Sequence, residues 1–264
     1  MDLQLSGKLA LVTGSTGGIG LAIGTALAGE GTTVIINGRS EQRVTQAIGK
    51  IRQTHPHAKL EPLVGDLSKA DAAAHVTVRF PHVDILINNL GSYEPKPFEA
   101  ISDDDWMAVI ETNFMSGVRL SRQYLPKMVS KNWGRIIFIS SESGVNIPVE
   151  MIHYGVTKTM QLALARGLAE TTMGTAVTVN SVLPGPTKSD GVERFVSDMA
   201  KSRRVEPSAV EKDFFETVRP SSLIKRFATT EEVASLVAFI ASPLSSAING
   251  AALRVDGGVI RSIV

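Results

Sequence analysis

The sequence predicts an α/β fold: a single doubly wound domain with a mostly parallel, seven-stranded sheet and helices on both faces. Three observations carry this expectation. Short apolar, β-branched runs alternate with helix-like stretches for most of the chain, as strands buried on both faces do. The repeated β–α alternation implies right-handed crossovers between parallel strands. The residues capable of chemistry lie just past the strand ends, where doubly wound sheets bind ligands. A length of 264 residues suits one domain over 1–264 better than two.

The predicted strands, in order, are Leu9–Thr13, Thr33–Asn37, Lys59–Val64, Ile85–Asn88, Arg135–Ser140, Ala176–Val182 and Ala251–Val255. One segment breaks the rhythm. Between Pro186 and Thr229 no strand-like run occurs, while Val192, Phe195, Val196 and Met199 recur at helical spacing, as do Val210, Phe214, Phe215 and Val218. A helical insertion over 188–228 is expected there. It is read either as a lid over substrate or as an oligomer or packing contact.

Composition excludes several classes. Lys+Arg is 27 and Asp+Glu is 26, a net charge of +1, which argues against a nucleic-acid or anionic-membrane footprint. Cysteine is absent, which removes disulfides, a thiolate nucleophile and Cys-ligated metals. No leader-like segment and no apolar run of about 18 residues occurs, so a soluble, cytoplasmic protein is expected. None of the five histidines forms HExxH, and no metal site is expected. Charged residues are 20% against an average of about 25%, which suits a chain that hides surface in an oligomer.

After the first strand comes Gly14-Ser-Thr-Gly-Gly-Ile-Gly20, and helix-like residues follow at once. A glycine turn between strand and helix lets backbone approach a diphosphate, and the helix N-terminus supplies free N–H groups. Gly14, Ser15, Thr16, Gly18, Ile19 and Gly20 are the candidate contacts. Within Thr13–Gly20 the spacing is TGxxxGIG. Here the sequence resembles the short-chain dehydrogenase/reductase family, a Rossmann-type fold, and the resemblance covers nearly the whole chain.

The second strand ends in Asn37-Gly38-Arg39-Ser40. No acid stands there to hold a ribose 2′-hydroxyl or repel a 2′-phosphate. Arg39 and Ser40 offer donors to that phosphate, which favours NADP(H), with NAD(H) as the alternative. The resemblance implies that Asp66, beside Leu67, accepts from the adenine amino group; Asp66 is equally a helix cap. Asn88-Asn89-Leu90-Gly91 resembles the family's NNAG, which implies cofactor contacts for Asn89 and Gly91. Pro184, Gly185 and Thr187 follow the sixth strand, and Thr187 is expected to meet the nicotinamide amide.

Tyr154-Gly-Val-Thr-Lys158 matches the family's YxxxK signature, whose ends share one helix face. Lowering a phenol pKa by ~2–3 units takes ~3–4 kcal/mol, and one lysine charge ~4 Å away supplies a comparable amount. The expectation is therefore that Lys158 brings Tyr154 toward neutrality. The resemblance assigns Ser141 to the substrate oxygen, in preference to Ser140 and Ser143. It gives Asn113, in Ile110-Glu-Thr-Asn113, a side-chain amide that holds a relay water. Around Asn113 the chain is similar to 3-oxoacyl-carrier-protein reductases. The implied activity is NADP(H)-dependent hydride transfer on a small carbonyl or alcohol substrate by a homotetramer or homodimer. The alternatives are an NAD-linked polyol, sugar or steroid dehydrogenase, or a non-catalytic dinucleotide sensor.

Overall fold

The computed structural model describes residues 1–263. The chain runs β1 (Leu9–Val12), α1 (Gly18–Gly29), β2 (Thr33–Gly38), α2 (Glu41–Thr54), β3 (Leu60–Val64), α3 (Ala70–Arg79), β4 (Ile85–Asn88), α4 (Asp103–Ile110), α5 (Ser116–Ser130), β5 (Gly134–Ile139), α6 (Ile152–Glu170), β6 (Val177–Pro184), α7 (Asp190–Arg203), α8 (Pro207–Asp213), α9 (Thr230–Ala241) and β7 (Ala252–Val255). The strand order is β3-β2-β1-β4-β5-β6-β7. Every pairing is parallel, so the sheet is wholly rather than mostly parallel. The order reverses between β1 and β4, and that switch opens the crevice that holds the site.

Successive strand residues point to opposite faces, so each strand feeds two apolar layers. Ala10, Val12, Val34 and Ile36 meet Ile23 and Leu27 of α1 and Val233, Val237 and Ile240 of α9. Leu11, Ile35, Leu86 and Phe138 meet Leu120, Tyr124 and Met128 of α5 and Ala165 and Ala169 of α6. Ala163 and Gly167, also in the second half of α6, are exposed. Two helices begin with capping boxes, Ser102 with Asp105 at α4 and Thr229 with Glu232 at α9.

The expected insertion contains α7, α8 and a π-turn over Phe214–Val218. It carries its own small core of Val196, Ala200, Val210, Phe215 and Phe227. Phe195, on the same predicted face, instead points outward at 54% exposure. A single bridge between Thr187 and Ala228 closes the base of the insertion. Among the described residues, no helix is long and apolar enough to cross a membrane, and no His/Cys/Asp/Glu group could hold a metal ion.

Candidate functional site

The C-terminal ends of β1, β2 and β4 converge on the glycine turn. The Thr13 hydroxyl donates to the Ile87 carbonyl (3.2 Å) and accepts from the N–H groups of Asn89 and Leu90 (2.9 and 3.1 Å). Gly14 and Gly18 adopt φ of +62° and +53°, values that cost glycine nothing. A Cβ at Gly20 would fall 2.5 Å from Asn89 Nδ2 and 2.6 Å from the Gly14 carbonyl oxygen. The helix therefore starts hard against the turn. Gly17 caps α1 without a side-chain bond, which leaves the first-turn N–H groups for an anion. Thr16 and Ile19 border those amides, half-buried.

Three of the predicted cofactor contacts have side chains engaged in the scaffold. Ser15 is fully buried. Its hydroxyl donates to the Val12 carbonyl and accepts from Asn37 N–H, while its own N–H donates to the Asn37 carbonyl. No donor is left on Ser15 for a phosphate. Asn89 Nδ2 donates to the carbonyls of Thr13 and Gly14 (2.9 and 3.3 Å), so this amide braces the turn. The Leu67 side chain lies in the apolar layer, 1% exposed. Asn37, to which the sequence reading gave no role, ties three strand ends together. It accepts from Gly14 N–H and donates to the carbonyls of Leu63 and Gly65.

The adenosine side is cationic. Burial works against the Asp66 carboxylate, but hydrogen bonds from Ser68, with Arg39 and Lys69 nearby, hold its pKa below the usual value. One Asp66 oxygen takes both Ser68 bonds (2.7 and 3.1 Å), and the N-cap of α3 is Lys69, so Asp66 braces the turn before that helix and the expected cap role is corrected. Ser40 caps α2 without using its hydroxyl. Arg43, in the first turn of α2, reaches over Gly17: its Nη2 lies 3.8 Å from where a Gly17 Cβ would be, and Asp190 Oδ2 lies 3.6 Å from the same point. No ion pair is formed by Arg39 or Arg43 among the described residues. The glycine turn, the uncapped helix ends and these cations fit a dinucleotide.

The reacting groups gather beyond β4, β5 and β6. Lys158 is buried at 4% exposure, and its Nζ donates to the Ile139 carbonyl at 2.9 Å and to Gln161 Oε1 at 3.4 Å. A Cβ at Gly91 would stand 3.5 Å from that nitrogen. Tyr154 lies one turn back, its ring centroid 5.5 Å from Lys158 Nζ and 5.9 Å from the Tyr93 ring. Ser141 is 9% exposed, accepts from Ser143 N–H (3.1 Å) and acts to lower the Tyr154 pKa. Gly185 presses on Asp256, whose carbonyl oxygen would be 2.5 Å from a Cβ there. The turn from Pro184 thus reaches Thr187, whose hydroxyl donates to the Gly185 carbonyl (2.9 Å).

Two expectations about these groups need correction. Burial pushes the Tyr154 pKa up to about 12 against the pull of Ser141, with Glu142 and Tyr93 adding to the rise and Arg219 opposing it. Burial also holds Lys158 down at about 7. Burial thus moves both groups away from the expected phenolate–ammonium pair. The Asn113 side chain, for its part, is fully engaged. Its Nδ2 donates to the Ser92 carbonyl and Thr157 Oγ1 (3.0 Å each), and its Oδ1 accepts from Ser92 N–H (2.8 Å). It lies in a π-turn over Glu111–Met115, which leaves its backbone carbonyl to accept from Gln161 Nε2 (2.5 Å).

Glu142 follows Ser141 and is also buried. Its Oε1 accepts from Arg219 Nε (3.0 Å) and from Ser143 Oγ (3.1 Å), and its Oε2 has no partner. Arg219 also reaches Glu150 at 3.4 Å. This ion-pair cluster ties the end of the insertion to the reacting residues.

Comparison with known proteins points one way. The model of the short chain dehydrogenase family matches residues 8–200. The chain is 49% identical to the uncharacterized oxidoreductase YvaG of Bacillus subtilis (strain 168), with both chains fully covered. It is 33% identical to the 3-oxoacyl-[acyl-carrier-protein] reductase FabG of Aquifex aeolicus (strain VF5), over 98% of this chain and all of that one. The crystal structure of L-sorbose reductase from Gluconobacter frateurii, complexed with NADPH and L-sorbose, superimposes with a TM-score of 0.92. Both chains are fully covered, at 27% identity.

Proposed function

The chain belongs to the short chain dehydrogenase family, and from that premise we propose that it is an NADP(H)-dependent reductase of small carbonyl compounds, or the reverse alcohol dehydrogenase. The observation that carries this reading is Lys158 Nζ beside Gly91 with the Tyr154 ring 5.5 Å away, across the strand ends from the glycine turn. When bound, the nicotinamide supplies or accepts a hydride at the carbonyl carbon. The backbone of Thr16–Gly20 and the N-terminus of α1 hold its diphosphate, and Gly91, Pro184, Gly185 and Thr187 line its nicotinamide side. Arg39, Ser40 and Arg43 favour a 2′-phosphate, and Asp66 faces the adenine.

The Tyr154 hydroxyl gives or takes the proton on the substrate oxygen. Ser141 donates to that oxygen as charge develops on it. Lys158 holds the nicotinamide ribose, and its charge favours the phenolate during transfer. Asn113 organises the loop at Ser92 and the helix turn beside the lysine. The insertion over 188–228 acts as the substrate lid, with its end fixed by Arg219. The likeness to a sugar-ketone reductase brings sugars into the substrate range, beside 3-oxoacyl compounds and simple ketones. Assembly as a homotetramer or homodimer belongs to the same reading, and sedimentation of the purified chain checks it.

The test is turnover of NADPH and NADH with ketone, 3-oxoacyl and sugar panels, run beside Tyr154→Phe. Wild-type protein should oxidise NADPH with at least one panel, and the variant should lose about 10²–10⁴-fold. Absence of turnover with every panel, or a variant that keeps most of the activity, overturns the reading.

A further inference from the structure

Gln161 has no place among the reacting residues predicted from sequence, yet it is 1% exposed and touches two of them. It stands three residues after Lys158 on α6, a spacing that puts both side chains on one helix face. The buried face of α6 changes character along its length. Ala165 and Ala169 join the apolar layer, whereas Thr157, Lys158 and Gln161 form a polar stretch. A buried amide needs partners at both ends, and this one has them. Its oxygen accepts from Lys158 Nζ (3.4 Å), and its nitrogen donates to the Asn113 carbonyl (2.5 Å), 48 residues away in sequence.

We propose that Gln161 is a positioning residue: one amide that joins the Lys158 ammonium to the backbone of the Asn113 π-turn and favours the charged form of the lysine. The inference rests on the reading of Lys158 as a catalytic residue. A π-turn displaces the regular i→i−4 ladder, and the Gln161 amide partners the Asn113 carbonyl within it. The same amide gives the ammonium its second acceptor, beside the Ile139 carbonyl. An acceptor that bonds the charged form stabilises that form. The acceptors bonded to Lys158 Nζ are neutral: the Ile139 carbonyl of β5 and Gln161 Oε1. On α6 itself Tyr154 is the titratable neighbour. The resolved influence on the lysine is burial, which works against its charge.

The test uses two substitutions with opposite signs. Gln161→Leu removes the acceptor, and Gln161→Glu puts a carboxylate in its place. The Lys158 Nζ midpoint is followed in the cofactor-free protein by ¹⁵N-lysine NMR, and the alkaline limb of kcat/KM is followed in parallel. The expected result is a downward move of about half a unit or more in Gln161→Leu and an upward move in Gln161→Glu, with the kinetic limb shifting the same way. A midpoint that stays at its wild-type value in both variants, or moves in the same direction in both, overturns the inference. If Gln161→Leu does not fold, Gln161→Glu against Gln161→Asn decides, since the shorter amide loses the reach to Lys158. Turnover without a moving midpoint defeats Gln161 alone. A moving midpoint in a protein that turns over nothing defeats the proposed activity and leaves the coupling standing.

Discussion

Lys158 is held where its charge is costly, and that cost is measurable. Its pKa falls from 10.5 to about 7 on burial. Between those values the unfolded chain binds a proton that the folded chain does not, so this group's contribution to stability rises with pH across that window. Below about 7 the full penalty applies, with an upper bound on the order of 5 kcal/mol. Lys158→Met should therefore abolish turnover yet raise Tm at pH 7 by several degrees, at about 2–4 °C per kcal/mol for a chain near this size. The gain should shrink as the pH approaches 10. Calorimetry at pH 7 and 9.5 checks it, and a variant that melts below wild type at pH 7 contradicts it. Such a trade of stability for function is common at reactive sites.

The ends of α1 and α2 show how an element serves a site by what it lacks. α1 has a glycine N-cap with no capping side chain, and the Ser40 hydroxyl at α2 is left unused. In addition, Arg43 sits in the first turn of α2, where a cation opposes the helix dipole by about 0.3–1 kcal/mol. A cation there, free of ion pairs, is suited to an incoming dianion. Arg43→Ala should weaken NADPH binding about tenfold and leave NADH binding nearly unchanged. Arg39→Asp should go further and reverse the preference. Titration calorimetry with both nucleotides separates the outcomes, and an equal loss for both would detach these arginines from the 2′-phosphate. The TGxxxGIG spacing made the α1 cradle legible. Arg43 was not legible, because its neighbour Gly17 lies on a different element.

At the scale of the molecule, the buried pair of Arg219 and Glu142, with the more exposed Glu150 beside it, fastens the insertion to the β5–α6 connection. Burial raises the Glu142 pKa while Arg219 opposes the rise. Removing one partner of a buried pair strands the other, at about 3–5 kcal/mol. Arg219→Gln should lower the melting temperature and speed proteolysis between α7 and α8. It should raise KM for the carbonyl substrate more than it weakens nucleotide binding. An unchanged cleavage pattern would separate the latch from the mobility of the insertion.

The amino-acid order alone marked the seven strands and the helical run after the sixth, and the family resemblance singled out Ser141, Tyr154 and Lys158 as the proposed reacting trio. Apolar runs and short fixed spacings are local signals, and local signals survive without a fold. Only the tertiary structure decided that Ser15 and Asn89 brace the turn, that a π-turn carries Asn113, and that Gln161 joins it to the lysine. Those outcomes depend on partners 22 to 76 residues apart, brought together by packing. Burial, too, exists only in the folded chain, and it raises the Tyr154 pKa and lowers that of Lys158.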